Sequence, residues 1–252
     1  MLSLSELKKI AAKEGVPQAV VEKDFALSVA LKAIAESELA THVVFKGGTA
    51  LRKVYFKEAR FSEDLDFDVL DVDKSECVKS LKEALEGKSV EGVAFEKVEE
   101  EKTAAGLKAS VKYVGPLAFA QRMKFDFNFR ENLVEKPVRR LLIDSYALGT
   151  AEILALSVEE IFAEKLHALG SRSAPRDSYD VWFLFGKGVN IGRQVLDRKF
   201  AYYGEKFDAD KAIENARKSK DNWERDLRHL LPKLPDYEKL EKEVEKNLRE
   251  IS

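Results

Sequence analysis

The sequence contains a single cysteine, Cys77, and no long hydrophobic run. One cysteine excludes an intrachain disulfide and argues against a thiolate-rich zinc site. The longest stretch without a charged residue, Tyr113–Gln121, spans nine residues, whereas a membrane-spanning helix needs about 20. Charged residues recur through the N-terminal stretch, so we predict no secretory signal peptide. We therefore expect a cytoplasmic protein that makes no use of a membrane.

Neither sign of charge dominates, since 43 Lys and Arg face 45 Asp and Glu and the net charge is −2. This balance excludes a generally basic coat for nucleic acid, although a local basic surface is compatible with it. One basic segment fits either a solvated helix face or a contact with an RNA backbone. It contains Arg217, Lys218, Lys220, Arg225, Arg228 and Lys233.

The hydrophobic pattern predicts three regions: a helical lead-in over 1–40, an α/β core over 41–150 and a helical region over 151–252. Strands are expected at 43–46, 61–70, within 89–114, at 122–130 and at 141–143. Helices are expected at 74–86, 158–169, 176–185, 208–231 and 236–250. We predict an α+β fold with a mixed sheet and a C-terminal helical bundle.

Gly47-Gly48-Thr49 follows a predicted short strand and precedes a helical pattern. Glycines there let a ligand approach the backbone, and a helix N-terminus presents free N–H groups that suit phosphate. Asp64 and Asp66 are two residues apart on an alternating strand, so their carboxylates project from one face. Mg²⁺, or Mn²⁺ in its place, would relieve their repulsion while also binding phosphate oxygens. The pattern predicts metal-dependent phosphoryl or nucleotidyl transfer.

These features also have plainer interpretations. The glycine pair fits an ordinary turn, and the two aspartates fit an exposed polar strand face. Asp68 lies on the same face, and the sequence does not exclude it as a metal ligand. Asp126, in the alternating Lys124-Phe125-Asp126, is either a third carboxylate beside the metal or part of a solvated face.

Lys165 lies in the middle of the apolar stripe of the predicted helix 158–169. Contact with a triphosphate would explain a lysine there; the alternative is a lysine at the edge of the stripe whose ammonium group reaches water. Asp177 and Asp180 share a face of the next predicted helix, which is apolar nearly all round. Buried acids need a partner, and Lys165 is a candidate. Asp177 alone also fits a first-turn acid that complements the helix dipole.

Two segments resemble the AbiEii family of nucleotidyltransferase toxins, within the polymerase-β-like nucleotidyltransferase superfamily. They are Phe45–Leu51 (FKGGTAL) and Arg60–Phe67 (RFSEDLDF). Four further pieces are similar to the family's other motifs: Glu22–Phe25, Lys124–Asp126, Glu160–Leu166 and Arg176–Val181. The resemblance runs from about residue 20 to residue 186. The superfamily commonly has Gly-Ser before the acids where this chain has Gly-Gly-Thr, and Thr49 could supply the same hydroxyl.

The resemblance implies a nucleotidyltransferase core in which Gly48 and Thr49 lie at the nucleotide phosphates. It places Asp64 and Asp66 on Mg²⁺ and Lys165 on the triphosphate. Asp126 stays a further candidate ligand from the strand pattern alone. An acid from Arg176–Asp180 completes the site, and the choice between Asp177 and Asp180 stays open. The predicted nucleotide-binding set is Lys46, Gly47, Gly48, Thr49, Arg60, Ser62 and Lys165.

The resemblance further implies transfer of NMP from an NTP to RNA, with tRNA favoured, by the toxin of a type IV toxin–antitoxin or phage-defence system. A cognate antitoxin is expected, acting with or without direct contact. The alternatives are a nucleotidyltransferase that modifies a protein or small molecule, and a non-catalytic nucleotide-binding module. Retention of the acids, the lysine and the glycines argues against the last.

Overall fold

The computed structural model describes residues 1–102, 106–130 and 132–252. The chain divides into two compact units. Unit 1 comprises Met1–Glu131 and Pro137–Leu156, and unit 2 comprises Asn132–Lys136 and Ser157–Ser252. None of the helices in the described ranges is both long enough and apolar enough to cross a membrane.

Unit 1 holds a mixed sheet, which in the described residues has eight strands in the order β3-β4-β5-β6-β2-β1-β8-β7. The strands are β1 (Val43–Lys46), β2 (Asp64–Val69), β3 (Ser89–Val90), β4 (Val93–Lys102), β5 (Gly106–Val114), β6 (Ala120–Asn128), β7 (Val138–Leu141) and β8 (Glu152–Ala155). The pairs β2–β6 and β1–β8 are parallel and the others antiparallel. The predicted mixed sheet is confirmed.

Two strand predictions and one helix prediction compare with the sheet as follows. The strand predicted at 141–143 is instead β7, which begins at Val138. The helical prediction from residue 151 is wrong at its start, because β8 occupies Glu152–Ala155 before the first helix of unit 2. Within the strands predicted over 89–114, residues 103–105 lie outside the described residues.

Unit 1 also contains α1 (Leu4–Glu14), α2 (Gln18–Ala35), α3 (Gly47–Ala50) and α4 (Lys74–Leu85). The Ser3 side chain caps α1 and forms a reciprocal capping box with Glu6. Pro17 lies at the N-cap position of α2. A π-helical turn, Leu51–Tyr55, continues α3.

The core of unit 1 lies on one face of the central strands. Alternation in β2 and β6 directs Phe67, Phe125 and Phe127 to this face, where all three are buried. The rings of Phe67 and Phe127 stack with their centroids 5.3 Å apart. Because successive side chains alternate, the aspartates between these aromatic residues lie on the opposite face.

Unit 2 is helical. Its helices are α5 (Val158–Ser171), α6 (Pro175–Gly186), α7 (Arg193–Tyr202), α8 (Ala209–Lys218), α9 (Trp223–Leu227) and α10 (Tyr237–Glu250). The single helix predicted over 208–231 is wrong, since a 3₁₀ turn at Ser219–Asn222 separates α8 from α9. The buried Ser219 hydroxyl donates to the Ala216 carbonyl, a side-chain bond that competes with continued helix. Helix α7 does not correspond to any of the individual helices predicted from the sequence.

Candidate active site

The acidic face of β2 adjoins the same face of β6. Asp66 pairs in register with Asp126, and Asp64 pairs with Lys124, across two parallel strands. All four side chains line an open cleft of about 620 Å³ in unit 1. Asp126 therefore lies on a neighbouring strand, on the same face as the two acids of β2. Their catalytic roles stay predictions.

The glycine turn lies directly against Asp66. Lys46 at the end of β1 is opposite Asp66 in the antiparallel pair, and Gly47 follows with a φ of +78°. A Cβ at position 47 would lie 2.2 Å from Asp66 Oδ2, a distance that real side chains do not tolerate. Gly47 is therefore needed for its positive φ and for its lack of a side chain.

Three polar residues near the acidic pair bind groups of the protein itself. The buried Thr49 hydroxyl donates to the Asp64 backbone carbonyl. Lys46 Nζ lies 2.8 Å from Asp68 Oδ1, which also accepts a hydrogen bond from Asn128 at 2.7 Å. Asp68 is thus a buried partner of Lys46. Among the described residues that line the cleft, neither Lys46 nor Thr49 is present.

Arg60 and Ser62, which the sequence predicts at the nucleotide, are also absent from the described lining of the cleft. The Arg60 side chain is buried and donates to the Phe61 carbonyl at 3.1 Å. Ser62 is half-buried in the segment that leads into β2. The structure therefore joins Gly47 to the acidic pair and leaves the roles of these two residues as predictions.

A buried ionic network supports the π-helical turn that follows the glycines. Lys53 Nζ lies 2.7 Å and Arg52 Nε 3.3 Å from the carboxylate of Asp24, and the Tyr146 hydroxyl donates to it at 2.6 Å. Burial opposes ionisation of Asp24, but Lys53 and Arg52 outweigh it and hold its pKa below the usual value. Sequence reasoning missed this network, although an acid in the apolar helix α2 was its signal.

The cleft also exposes basic side chains that sequence reasoning did not assign to the site. Lys108, Arg122 and Lys124 line it, and their signal was the alternation of charged with apolar residues along β5 and β6. Arg122 forms an ion pair with Glu99. Lys108 and Lys124 form no ion pair within the described part of the chain.

In unit 2, Lys165 and its two acids form one cluster. Lys165 Nζ lies 2.8 Å from Asp180 Oδ2 and 3.7 Å from Asp177 Oδ1. Arg172 donates to Asp177 Oδ2 at 2.7 Å. The expectation that Lys165 partners these buried acids is confirmed. Asp180 is the nearer acid, and Arg172 is the member that the sequence did not reveal.

A second buried cluster of unit 2 holds residues 132–136. Both Glu160 carboxylate oxygens accept backbone N–H groups, of Val134 at 2.7 Å and Glu135 at 3.0 Å. Lys199 Nζ, also fully buried, lies 2.9 Å from Glu160 and donates to the Asn132 carbonyl. Burial opposes the charge of Lys199, but Glu164 and Glu160 raise its pKa above the usual value. We assign this cluster a structural role.

The protein offers only a few carboxylate oxygens as ligands for a divalent cation. Among residues 1–102, 106–130 and 132–252, no group of three His, Cys, Asp or Glu side chains is arranged to hold a metal ion. Asp64 and Asp66 are half-buried and share one face. The residues therefore fit Mg²⁺ as a two-carboxylate site whose remaining ligands come from water and substrate phosphate, which is how proteins commonly bind this ion.

Residues 29–249 match the family model for the nucleotidyl transferase AbiEii toxin of type IV toxin–antitoxin systems. The chain belongs to this family. The AbiEii assignment covers both units and confirms the resemblance carried by the two glycine- and aspartate-containing motifs. The protein is thus a nucleotidyltransferase of the toxin type.

The AbiEii fold of this chain is similar to a solved structure, that of MenT4, a nucleotidyltransferase toxin from Mycobacterium tuberculosis H37Rv. The TM-score is 0.78, over 100% of this chain and 90% of MenT4. At 20% identity the likeness shows a shared fold, and it confirms the predicted α+β nucleotidyltransferase-like class. No curated protein matches the sequence.

Proposed function

We propose that this AbiEii-family enzyme transfers a nucleoside monophosphate from an NTP to a hydroxyl group of RNA, with tRNA the favoured acceptor, in a reaction that depends on Mg²⁺. One observation carries the proposal: Asp64, Asp66 and Asp126 line a single open cleft, against which the Gly47 turn is held. In the reaction, the acceptor hydroxyl attacks the α-phosphorus in line. The bond between the α- and β-phosphates breaks, and pyrophosphate leaves.

Asp64 and Asp66 are the residues that would hold the cation. When bound, Mg²⁺ would neutralise negative charge on the phosphates as the leaving group departs. Asp126 contributes a third carboxylate to the same cleft. The buried face of β2 and β6, with its stacked aromatic rings, fixes the backbone that carries these carboxylates, so little rearrangement is needed on binding.

A polyanionic acceptor is supported by the basic residues of the cleft. Lys108 and Lys124 lie beside the acids, are exposed, and form no ion pair in the described ranges. Lysines in this state are available to neutralise phosphates. The basic segment of unit 2 differs, because Arg217 pairs with Glu241 and Glu245 on its own unit. We therefore assign RNA contact to the cleft.

The deciding experiment incubates the protein with each α-labelled NTP, Mg²⁺, and either total RNA or a protein extract. We expect label in RNA, and in small RNA above all, with none after EDTA is added. The Asp64→Asn variant should fold like the wild type and transfer no label. Label in protein only would refute the acceptor assignment, and wild-type transfer by Asp64→Asn would refute the metal assignment.

A matched pair of variants tests the acceptor surface. Lys108→Ala/Lys124→Ala should raise the KM for RNA about tenfold and leave the KM for NTP nearly unchanged, since two phosphate contacts are lost. Arg217→Ala/Lys220→Ala removes the same charge from unit 2 and should leave both values near wild type. The reverse outcome would place RNA on the unit 2 segment.

For the partner, we propose an antitoxin that neutralises the toxin without a stable complex, as the type IV class implies. Co-expression should restore growth while affinity purification of the toxin recovers no stoichiometric antitoxin. Recovery of a stoichiometric complex would contradict this mode of action.

A further inference from the structure

Strand β7 forms one end of the sheet in the described residues. Among the residues that the structure describes, it pairs with β8 alone, and all four of its residues are solvent-exposed. Two of them are apolar, Val138 at 37% and Leu141 at 56% exposure. An exposed edge strand with apolar side chains is a template for another strand, and proteins usually cover or blunt such edges.

The register shows which backbone groups of β7 face outward. The Leu142 N–H donates to the Ala151 carbonyl at 2.9 Å, continuing the β7–β8 ladder. Hydrogen-bonded positions alternate in an antiparallel pair, so Arg140 faces β8 while Arg139 and Leu141 direct their N–H and C=O groups away from it. Within the described part of the chain, no strand pairs with this outer side of Arg139 or Leu141. The next outward N–H, that of Ile143, donates to the Lys53 carbonyl at 2.7 Å, so the open stretch ends there.

The charge of β7 disfavours a second copy as its occupant. Arg139 and Arg140 are exposed and form no ion pair among the described residues. In the registers that pair most of the strand, an antiparallel copy would set arginine opposite arginine. Like charges directly opposite destabilise a pair of strands. Pairing of β7 with the β7 of a second copy is therefore disfavoured, whereas pairing with a negatively charged segment is not.

We propose that the open edge of β7 docks an extended acidic segment of a partner protein, which adds to the sheet as a further strand. The outward groups of Arg139 and Leu141 supply main-chain hydrogen bonds, and the two arginines pair with carboxylates. Val138 and Leu141 pack against apolar side chains of the partner. The complementary segment reads apolar, acidic, acidic, apolar. This inference is independent of the nucleotidyl transfer proposed above.

The test is fluorescence anisotropy with the full chain and a labelled peptide Thr-Val-Glu-Glu-Val-Thr, compared with one in which lysine replaces both glutamates. We expect the acidic peptide to bind at least about tenfold more tightly. Arg139→Glu/Arg140→Glu should reverse the order. Lys8→Glu/Lys9→Glu, which changes an exposed basic pair on α1 by the same charge, should leave it unchanged.

A second pair of measurements separates strand addition from simple charge attraction. Leu141→Pro removes an outward N–H and no bond of the β8 ladder, so it should lower peptide affinity about tenfold with little change in Tm. A peptide N-methylated on its four central amides makes the same test without altering the protein, and it should not bind.

Three outcomes would overturn the proposal. The first is equal affinity for the acidic and lysine peptides, and the second is full binding of the methylated peptide. The third is that Arg139→Glu/Arg140→Glu loses binding to a labelled ten-nucleotide RNA but keeps its binding to the acidic peptide. The last would assign the strand to nucleic acid.

Discussion

Gly47 lets the turn after β1 approach Asp66 closely, and its replacement should lower both stability and activity. Gly47→Ala introduces a side chain at a φ of +78°, where its Cβ would lie 2.2 Å from Asp66 Oδ2. The backbone strain alone costs about 1–2 kcal/mol, and the collision displaces either the turn or the carboxylate. We expect loss of nucleotide transfer together with lower stability, measured by urea unfolding and by label transfer.

Gly87→Ala is the control for the strain. Gly87 has a similar φ of +70°, and nothing lies within 4 Å of its added Cβ. It should show the strain cost with full activity. Equal activity of the two variants would mean that the contact between Gly47 and Asp66 does not matter for transfer.

Substitution of Lys46 tests whether this motif residue binds the nucleotide or stabilises the folded protein. Its ammonium group lies 2.8 Å from the buried carboxylate of Asp68. Lys46→Met removes this partner and should destabilise the protein by about 3 kcal/mol, because a buried charge loses its counterion. We expect the KM for NTP to change little at a temperature where the variant is folded. A large rise in KM with unchanged urea unfolding would instead support the predicted nucleotide contact.

At the scale of elements, the buried network between α2 and the π-helical turn should govern acid stability. The pKa of Asp24 is lowered in the folded state, against its burial, by Lys53 and Arg52. Its contribution is therefore complete above about pH 4, the ordinary aspartate value, and is lost as the pH falls through the folded pKa. Asp24→Asn should cost about 3–5 kcal/mol at pH 7 and flatten this acid-side loss.

The pKa of Glu22, two residues from Asp24, is shifted in the opposite direction, so its effect on the pH dependence of stability is also opposite. Burial raises its pKa despite hydrogen bonds from Leu117 and Gln121, so it favours folding below the ordinary glutamate pKa and less as the pH rises through the folded value. Glu22→Gln should therefore change the pH profile on its less acidic side. Urea unfolding from pH 3 to pH 8 measures both. Parallel profiles for the two variants would contradict the assignment.

The sequence predicts helices and strands well where the hydrophobic pattern repeats over many residues, and poorly where the element is short. Alternation in β2 placed Asp64 and Asp66 on one face, and alternation in β6 placed Asp126 opposite the phenylalanines of its own strand, because a strand has a period of two. The parallel pairing of these strands has no local signal, since it joins residues about 60 apart. β8 has four residues, and its apolar run cannot be separated from the start of α5 by periodicity.

The site could be predicted only in part for a related reason. The residue types identified the acids and Gly47, but the partner of a hydroxyl or ammonium group depends on tertiary contacts. Thr49 donates to a backbone carbonyl and Lys46 pairs with Asp68, although both residue types suit phosphate equally well.

At the scale of the whole molecule, the AbiEii match spans both units, and Lys165 is the test of whether unit 2 serves the same reaction. Lys165→Met should raise the KM for NTP more than about tenfold if its ammonium group binds the triphosphate. It should also cost about 3 kcal/mol of stability, because the buried carboxylate of Asp180 loses its ion pair with Lys165. Kinetics are therefore measured below the Tm of the variant.

Arg172→Met is the matched control for Lys165. Its side chain also pairs with Asp177 but is 66% exposed, so a small effect on stability and on KM is expected. If NTP with Mg²⁺ raised the Tm of Lys165→Met by as much as that of the wild type, the triphosphate contact assigned to Lys165 would be wrong.

Residues 132–136 belong to unit 2 although the chain on either side belongs to unit 1. The backbone therefore passes between the units three times. A protease that cuts once inside this short segment makes two fragments, and each fragment carries pieces of both units. Neither unit can be released by such a cut without unfolding. The nicked protein should elute from a sizing column as a single species, and its fragments should part only in denaturant.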